Sequence, residues 1–246
     1  TLMVYARYGR AGVYMVQEYC HRLGVGVSPD ELDDLVATLR EIPLGHPLSH
    51  LLRSSPDFRD PDALADALLN PRDRSYTVPE TLTLVRGAGL RFGRWVRQAA
   101  YLPTCGSLAE TPHGQRIAEL PVEDQYAAVE LFRGTITRHS LLAHRDDMSQ
   151  SPSRPRFAAP ECERYVPMRP HTVISVEERL PPGAAAALLN QAHEFPDLVM
   201  FVDEAERAAF EAIDGNRMIG QIGAEHADLF RRLYEHDLIV VDASGG

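Results

Sequence analysis

The sequence predicts an α/β protein: a larger domain of strands and helices, then a smaller α+β unit. Three observations predict it. An apolar run, Leu2–Ala6, passes directly into the glycine-flanked turn "RYGRAG" and then a helical pattern. A helix signal over 77–86 closes at Gly87 or Gly89 and leads into a second apolar run, 90–96. A polar, proline-rich stretch, 146–161, separates these from a C-terminal pattern of helix, short helix, helix and strand.

The elements follow in order. After strand Leu2–Ala6, apolar residues at Val13, Val16 and Cys20 have helical spacing and end at Gly24. Ser28, Pro29 and Glu31 open a second helix, which carries Leu32, Leu35, Val36 and Leu39 on one face. Residues 43–62 are rich in proline and read as a loop or short turns; 62–70 read as a short helix. Thr77, Pro79 and Glu80 form a capping box, so a helix runs to about Arg86, followed by a strand through Leu90, Phe92 and Trp95. Residues 103–121 read as a loop. Residues 122–145 read as one long helix with Tyr126, Val129, Phe132, Ile136 and Leu141 on a stripe. Beyond the linker, 171–176 reads as a strand and the Ala/Leu run 182–191 as a helix. Residues 203–241 read as two helices flanking a short turn-rich segment, then a strand, the outline of a small winged-helix-like unit.

Composition narrows the chemistry. The net charge is −10, and all 25 basic residues are arginine. Without lysine the chain can form no lysine Schiff base and has no P-loop or kinase-type lysine. A phosphate backbone meets an acidic chain. The C-terminal segment 196–242, where helix-turn-helix spacing occurs, holds eleven acids against four arginines, the wrong sign for reading DNA. We therefore expect no nucleic-acid partner. No apolar run reaches the length of a membrane span, and no signal peptide is visible, so a cytoplasmic protein with no membrane partner is expected. Three widely spaced cysteines, Cys20, Cys105 and Cys162, suit a reducing compartment.

Few residues stand in a catalytic pattern. The ten histidines include His46 and His50, with Pro47 between them, and His139 and His144, but no metal-ligand spacing occurs and no metal is expected. Cys105 and His113 share a loop; an inert thiol is the simpler reading of that pair. The turn after Leu2–Ala6 is more informative, because ligands of open α/β sheets bind beyond the carboxyl ends of strands. Tyr5, Tyr8 and Arg10 lie there, two phenols to stack or hydrogen-bond and a guanidinium for a carboxylate or phosphate. They are the candidate substrate-binding residues; capping and packing of the turn is the competing structural role.

Several segments resemble class I S-adenosylmethionine-dependent methyltransferases of bacteria. "LMVYARYGRAGVYMVQEYCHRLG" is similar to the segment after the fourth strand of such enzymes, and "DRSYTVPETLTLVRGAGLRF" and "YAAVELFRGTITRHSLLAH" to their late helices and strand. "FEAIDGNRMIGQI" resembles a C-terminal winged-helix-like tail attached to some of them. The resemblance implies a partial Rossmann-like methyltransferase sheet with long helices over 1–145, a linker over 146–161, and a small winged-helix-like domain over 162–246. It implies S-adenosyl-L-methionine as cofactor and a small-molecule or protein methyl acceptor. The family's glycine-rich turn after the first strand, with an acidic residue ending the second, does not occur here, so no cofactor-binding residue is expected in this chain. The expected role is to complete the sheet and shape the acceptor pocket, with His46, His50 or His139 as candidate bases. If the neighbouring strand is missing, Leu2–Ala6 becomes an exposed edge. The alternative is a non-enzymatic protein-interaction module.

Overall fold

The computed structural model describes residues 1–54, 60–145, 155–158 and 160–243, with the backbone alone at 50, 53 and 54. The chain divides into two compact units. The first comprises Met3–Thr83 and Glu130–His139; the second comprises Thr1–Leu2, Leu84–Val129 and Ser140–Gly246.

The first unit opens with strand β1 (Leu2–Ala6) and helix α1 (Ala11–Leu23). Helices α2 (Pro29–Arg40), α3 (Leu48–Ser54) and α4 (Pro61–Leu69) follow. Val13, Val16 and Cys20 of α1 are buried against Leu35, Leu39, Leu48, Leu64 and Leu68, the helical spacing having set one apolar face. The chain then forms the two-residue strand β2 (Ser75–Tyr76) and α5 (Val78–Gly87). The β1 strand pairs in parallel with β2, Tyr5 opposite Ser75 and Ala6 opposite Tyr76. On its other side the Ala6 N–H donates to the Thr137 carbonyl at 3.0 Å. The expected bare edge is therefore absent at this end of β1: both neighbours come from later in this same chain.

Two glycines explain the turn between β1 and α1. A Cβ on Gly9 would collide with the Ile136 carbonyl, and one on Gly12 with the backbone of Leu48 at the start of α3. Only glycine allows both close approaches.

In the second unit, β3 (Leu90–Trp95) pairs antiparallel with the later part of β4 (Arg138–Arg145), from Leu90 opposite Arg145 to Trp95 opposite Leu141, with a register shift at Gly93. Helices α6 (Pro112–Ala118) and α7 (Val122–Arg133) lie between these strands in sequence. Phe92, Trp95, Tyr101 and Tyr126 form an aromatic cluster in which Trp95 stacks on Tyr101 with centroids 4.3 Å apart. The C-terminal part contains β5 (Val166–Met168), β6 (Val173–Val176), β7 (Ala186–Asn190) and β8 (Val199–Val202). It ends with α8 (Glu204–Glu211), α9 (Ile219–Gly223), α10 (Ala227–Glu235) and β9 (Val240–Asp242). The β6, β7 and β8 strands form an antiparallel sheet with β7 central, and β5 pairs with β9. Leu188, Met200, Phe210, Phe230 and Leu233 lie in its core.

Four expectations are corrected. The long helix over 122–145 ends at Arg133; Gly134, at φ +64, turns the chain, and 138–145 is β4, with His139 and Leu141 buried on alternate positions. A period of two was read there as a helical stripe, and Phe132, placed on that stripe, is 53% exposed. The Ala/Leu run 182–191 supplies a central strand, because pairing on both sides outweighs helix propensity. The loop over 43–62 contains α3, and the loop over 103–121 contains α6, capped by the Thr111 hydroxyl accepting from the Gly114 N–H at 3.0 Å. Most of the expected linker, residues 146–154 and 159, lies outside the described residues.

Candidate functional site

The polar face of α1 organises the first unit's site. Arg10, Tyr14, Gln17 and His21 fall three or four residues apart, beside the apolar face that faces the core. Asp73, just before β2, is the common partner of Arg10 and Gln17. Its Oδ2 accepts from Arg10 Nη2 at 3.2 Å and from Gln17 Nε2 at 3.0 Å, and Gln17 also donates to the Ala67 carbonyl at 2.9 Å. The Arg10 guanidinium lies 3.7 Å over the Tyr5 ring.

The structure thus joins two of the three sequence candidates, Tyr5 and Arg10, but gives the guanidinium to Asp73. Tyr8 stands apart, 40% exposed, on the wall of a cavity of about 490 Å³ that Tyr14, Met15, Glu18 and Ser75 also line. A second cavity of about 430 Å³ shares Tyr14 and Glu18 and reaches His21, Asn70 and Asp73. Tyr14 and Glu18 line both. The Tyr14 hydroxyl oxygen is buried. Burial first, and the Asp73 carboxylate second, push its phenol above the usual value, against the pull of Arg10 and Ser75.

Tyr14, Gln17 and Asp73 were missed in the sequence. Tyr14 and Gln17 follow Arg10 by four and seven positions, a helical period that could have found them once Arg10 was chosen. Asp73, sixty-three residues from Arg10, left no comparable signal.

The candidate bases fare differently. His139 is fully buried; its Nε2 is 3.1 Å from Glu130 Oε1 and 3.1 Å from the Tyr76 carbonyl. Glu130 Oε2 accepts from the Val78 N–H at 2.8 Å, the first turn of α5. This pair joins β4, α7 and α5 and has no access to a substrate. His46 accepts from the Leu48 N–H through Nδ1 at 3.0 Å and lines a cavity of about 290 Å³ with Met15, Tyr19 and Ile42. The side chain of His50 is outside the described residues. Cys105 is buried, its thiol donating to the Glu235 carbonyl at 3.8 Å, while His113 is exposed. Among the described residues no cluster of three or more potential metal ligands occurs, and no helix is long and apolar enough to cross a membrane.

No family model matches the chain. Among solved structures it is similar to PKMT2 from Rickettsia typhi, with a TM-score of 0.55 at 10% identity over 98% of this chain and 50% of that one. It is also similar to the same protein in complex with AdoHcy, with a TM-score of 0.56 at 13% identity over 98% and 51%. The two proteins share a fold. At these identities the likeness to PKMT2 is one of fold, and this chain spans about half the length of the PKMT2 chains.

The second unit holds a buried polar junction. Asp237, at φ +56, accepts from Arg94 Nη2 at 2.6 Å and from the Ala99 N–H at 2.9 Å. His193 Nε2 lies 3.7 Å away, and Asn190 Nδ2 donates to the Asp237 carbonyl at 2.8 Å. Burial pushes the Asp237 carboxyl up to about 6, although the Ala99 N–H and Arg94 oppose it. The junction ties β3, β7 and the end of α10 together.

Proposed function

We propose that this chain forms part of an S-adenosylmethionine-dependent methyltransferase, completing its sheet and shaping the pocket for the methyl acceptor. The observation that carries this reading is the fold correspondence over 98% of the chain with PKMT2, one of whose structures contains AdoHcy. The sequence resemblance, spread over residues 1–145, supports it from a separate direction.

The turn glycines, Gly9 and Gly12, lie against Ile136 and Leu48 of this chain. The glycine-rich turn of the resembled family does not occur in this sequence, and in this reading the cofactor contacts belong to a part of the enzyme other than this chain. What the chain contributes is acceptor placement, for which Tyr5, Tyr8 and Arg10 remain the candidates. Tyr8 opens onto a cavity; Tyr5 and Arg10 form a stacked pair whose charge Asp73 balances. In this reading residues 162–246 act as a separate C-terminal domain, and the order α8, α9, α10 and β9 supports its winged-helix-like character. The acceptor is a small molecule or a protein, and the setting cytoplasmic.

A second reading, a protein-interaction module, is favoured by one feature: Met15, Tyr19 and Leu23 of α1 form an exposed apolar row, 52%, 45% and 63% exposed.

Titration calorimetry with S-adenosylmethionine tests the first reading, on this chain and on a product extended upstream of Thr1. Binding to the extended product alone is expected. Binding to neither would favour the interaction module, and binding to this chain alone would overturn the placement of the cofactor site.

A further inference from the structure

Strand β1 keeps an open edge beside the end that β2 covers. Main-chain groups alternate along a strand: the Ala6 N–H points to the Thr137 carbonyl, and the Arg7 N–H points the other way, to the Tyr76 carbonyl of β2. Tyr5 and Met3, two and four residues before Arg7, therefore turn their N–H and C=O groups to the β2 side. The register of β2 reaches only Tyr5 and Ala6, so among the described residues no strand pairs with Met3 there. Leu2–Ala6 is apolar throughout, the composition of a strand covered on both faces, and has no charge or proline to protect an edge. Yet the Met3 side chain is 50% exposed. Helix α1 is uncovered next to this strand. Its exposed row of Met15, Tyr19 and Leu23 begins at a cavity that Met15 lines together with Ser75, the β2 residue opposite Tyr5. The charges around that cavity pair with each other, Arg7 with Glu80 at 2.8 Å and Glu18 with Arg22 at 2.6 Å. The surface thus offers main-chain hydrogen bonds and apolar contact.

Resting on the methyltransferase reading, we propose that the open edge of β1 and the Met15, Tyr19 and Leu23 row of α1 form one docking surface, occupied by a strand with an attached amphipathic helix from the cofactor-bearing part of the enzyme. The fold correspondence selects this occupant: it uses 98% of this chain and 50% of PKMT2, so half of that longer chain lies outside it. A strand satisfies the main-chain groups of Met3, and a helix beside it covers the α1 row. The helix also walls the cavity that Tyr8 lines, so the acceptor pocket is completed by the part of the enzyme that holds the cofactor.

Methionine oxidation reads this surface directly, because Met3 lies on the strand and Met15 on the row. Dilute hydrogen peroxide is applied to this chain and to the product extended upstream of Thr1, and each methionine is followed by mass spectrometry. In this chain Met3 and Met15 are expected to oxidise at rates comparable with the exposed Met168 and Met218, while the buried Met200 stays slow. In the extended product Met3 and Met15 are expected to slow at least about tenfold, with Met168 and Met218 unchanged. Met15→Asp, at an exposed position, should leave the melt of this chain unchanged and lower that of the extended product. Met3 or Met15 reacting equally fast in both products, or a Met15→Asp extended product as stable as its parent, would overturn the proposal. So would protection of both methionines in this chain alone that rises with its concentration, which would assign the surface to a second copy. The result separates from the cofactor titration. Cofactor binding with Met3 and Met15 still reactive removes the docking surface and leaves the methyltransferase reading; protection without cofactor binding does the reverse.

Discussion

Arg10 and Asp73 form an ion pair at 3.2 Å with side chains only 11% and 5% exposed, in the turn where the sequence offered Arg10 as an anion-binding residue. The pair joins the start of α1 to the segment before β2. Arg10 is thereby a structural cation first, and an incoming carboxylate or phosphate would have to compete with a buried carboxylate already in place.

Removing one partner of such a pair leaves the other buried and uncompensated. Asp73→Ala is expected to destabilise the first unit by about 3 kcal/mol or more, and also removes the acceptor for Gln17. Arg10→Met with Asp73→Leu should recover most of that loss. Urea denaturation of the two variants checks this; equal stability of Asp73→Ala and the parent would remove the structural role assigned to the pair.

Gly12 and Gly87 make opposite predictions. Gly12→Ala places a methyl against the Leu48 backbone and should cost about 1–3 kcal/mol. Gly87, the last residue of α5, has open space around a Cβ and an ordinary backbone, so Gly87→Ala should stabilise by about 0.4–1 kcal/mol. Thermal melts of the two variants should move in opposite directions.

Asp237 gives a pH dependence of unusual sign. Its folded value, about 6, lies above the ordinary carboxylate value of 3.8. The folded state therefore holds the proton more tightly than the unfolded one between those values. Its contribution to stability is full below pH 3.8 and is lost as pH rises to about 6, a change of up to about 3 kcal/mol. Asp214 runs the other way: its carboxyl is held down to about 2, first by the backbone N–H of Arg217 and then by that of Asn216. Comparing the parent with Asp237→Asn cancels such opposing groups. The parent's stability relative to the variant should fall as pH rises from 4 to 6, and a flat difference across that window would contradict the burial assigned to the carboxyl.

The legible parts of the fold are those whose cause is local. The Val13, Val16, Cys20 spacing of α1, the Thr77–Glu80 box of α5 and the glycine stop before β3 all appear as read. The errors fall where distant pairing overrides a local signal. Residues 186–189, Ala and Leu, are good helix formers that lie in a strand between two others. Residues 138–145 carry a pattern short enough to fit two periods, and the partner strand selects the extended one.

The helical faces, the caps, the acidic balance and the exclusion of lysine chemistry were legible in the amino-acid order, because each depends on residue type and spacing alone. It also placed Tyr5, Tyr8 and Arg10 at a strand's end. The folded chain alone shows that Asp73 neutralises Arg10, that Ile136 and Leu48 pack against the glycine turn, and that Tyr14 lines two cavities. Those are contacts between residues far apart along the chain, and their energy depends on distance and burial, which no local spacing encodes.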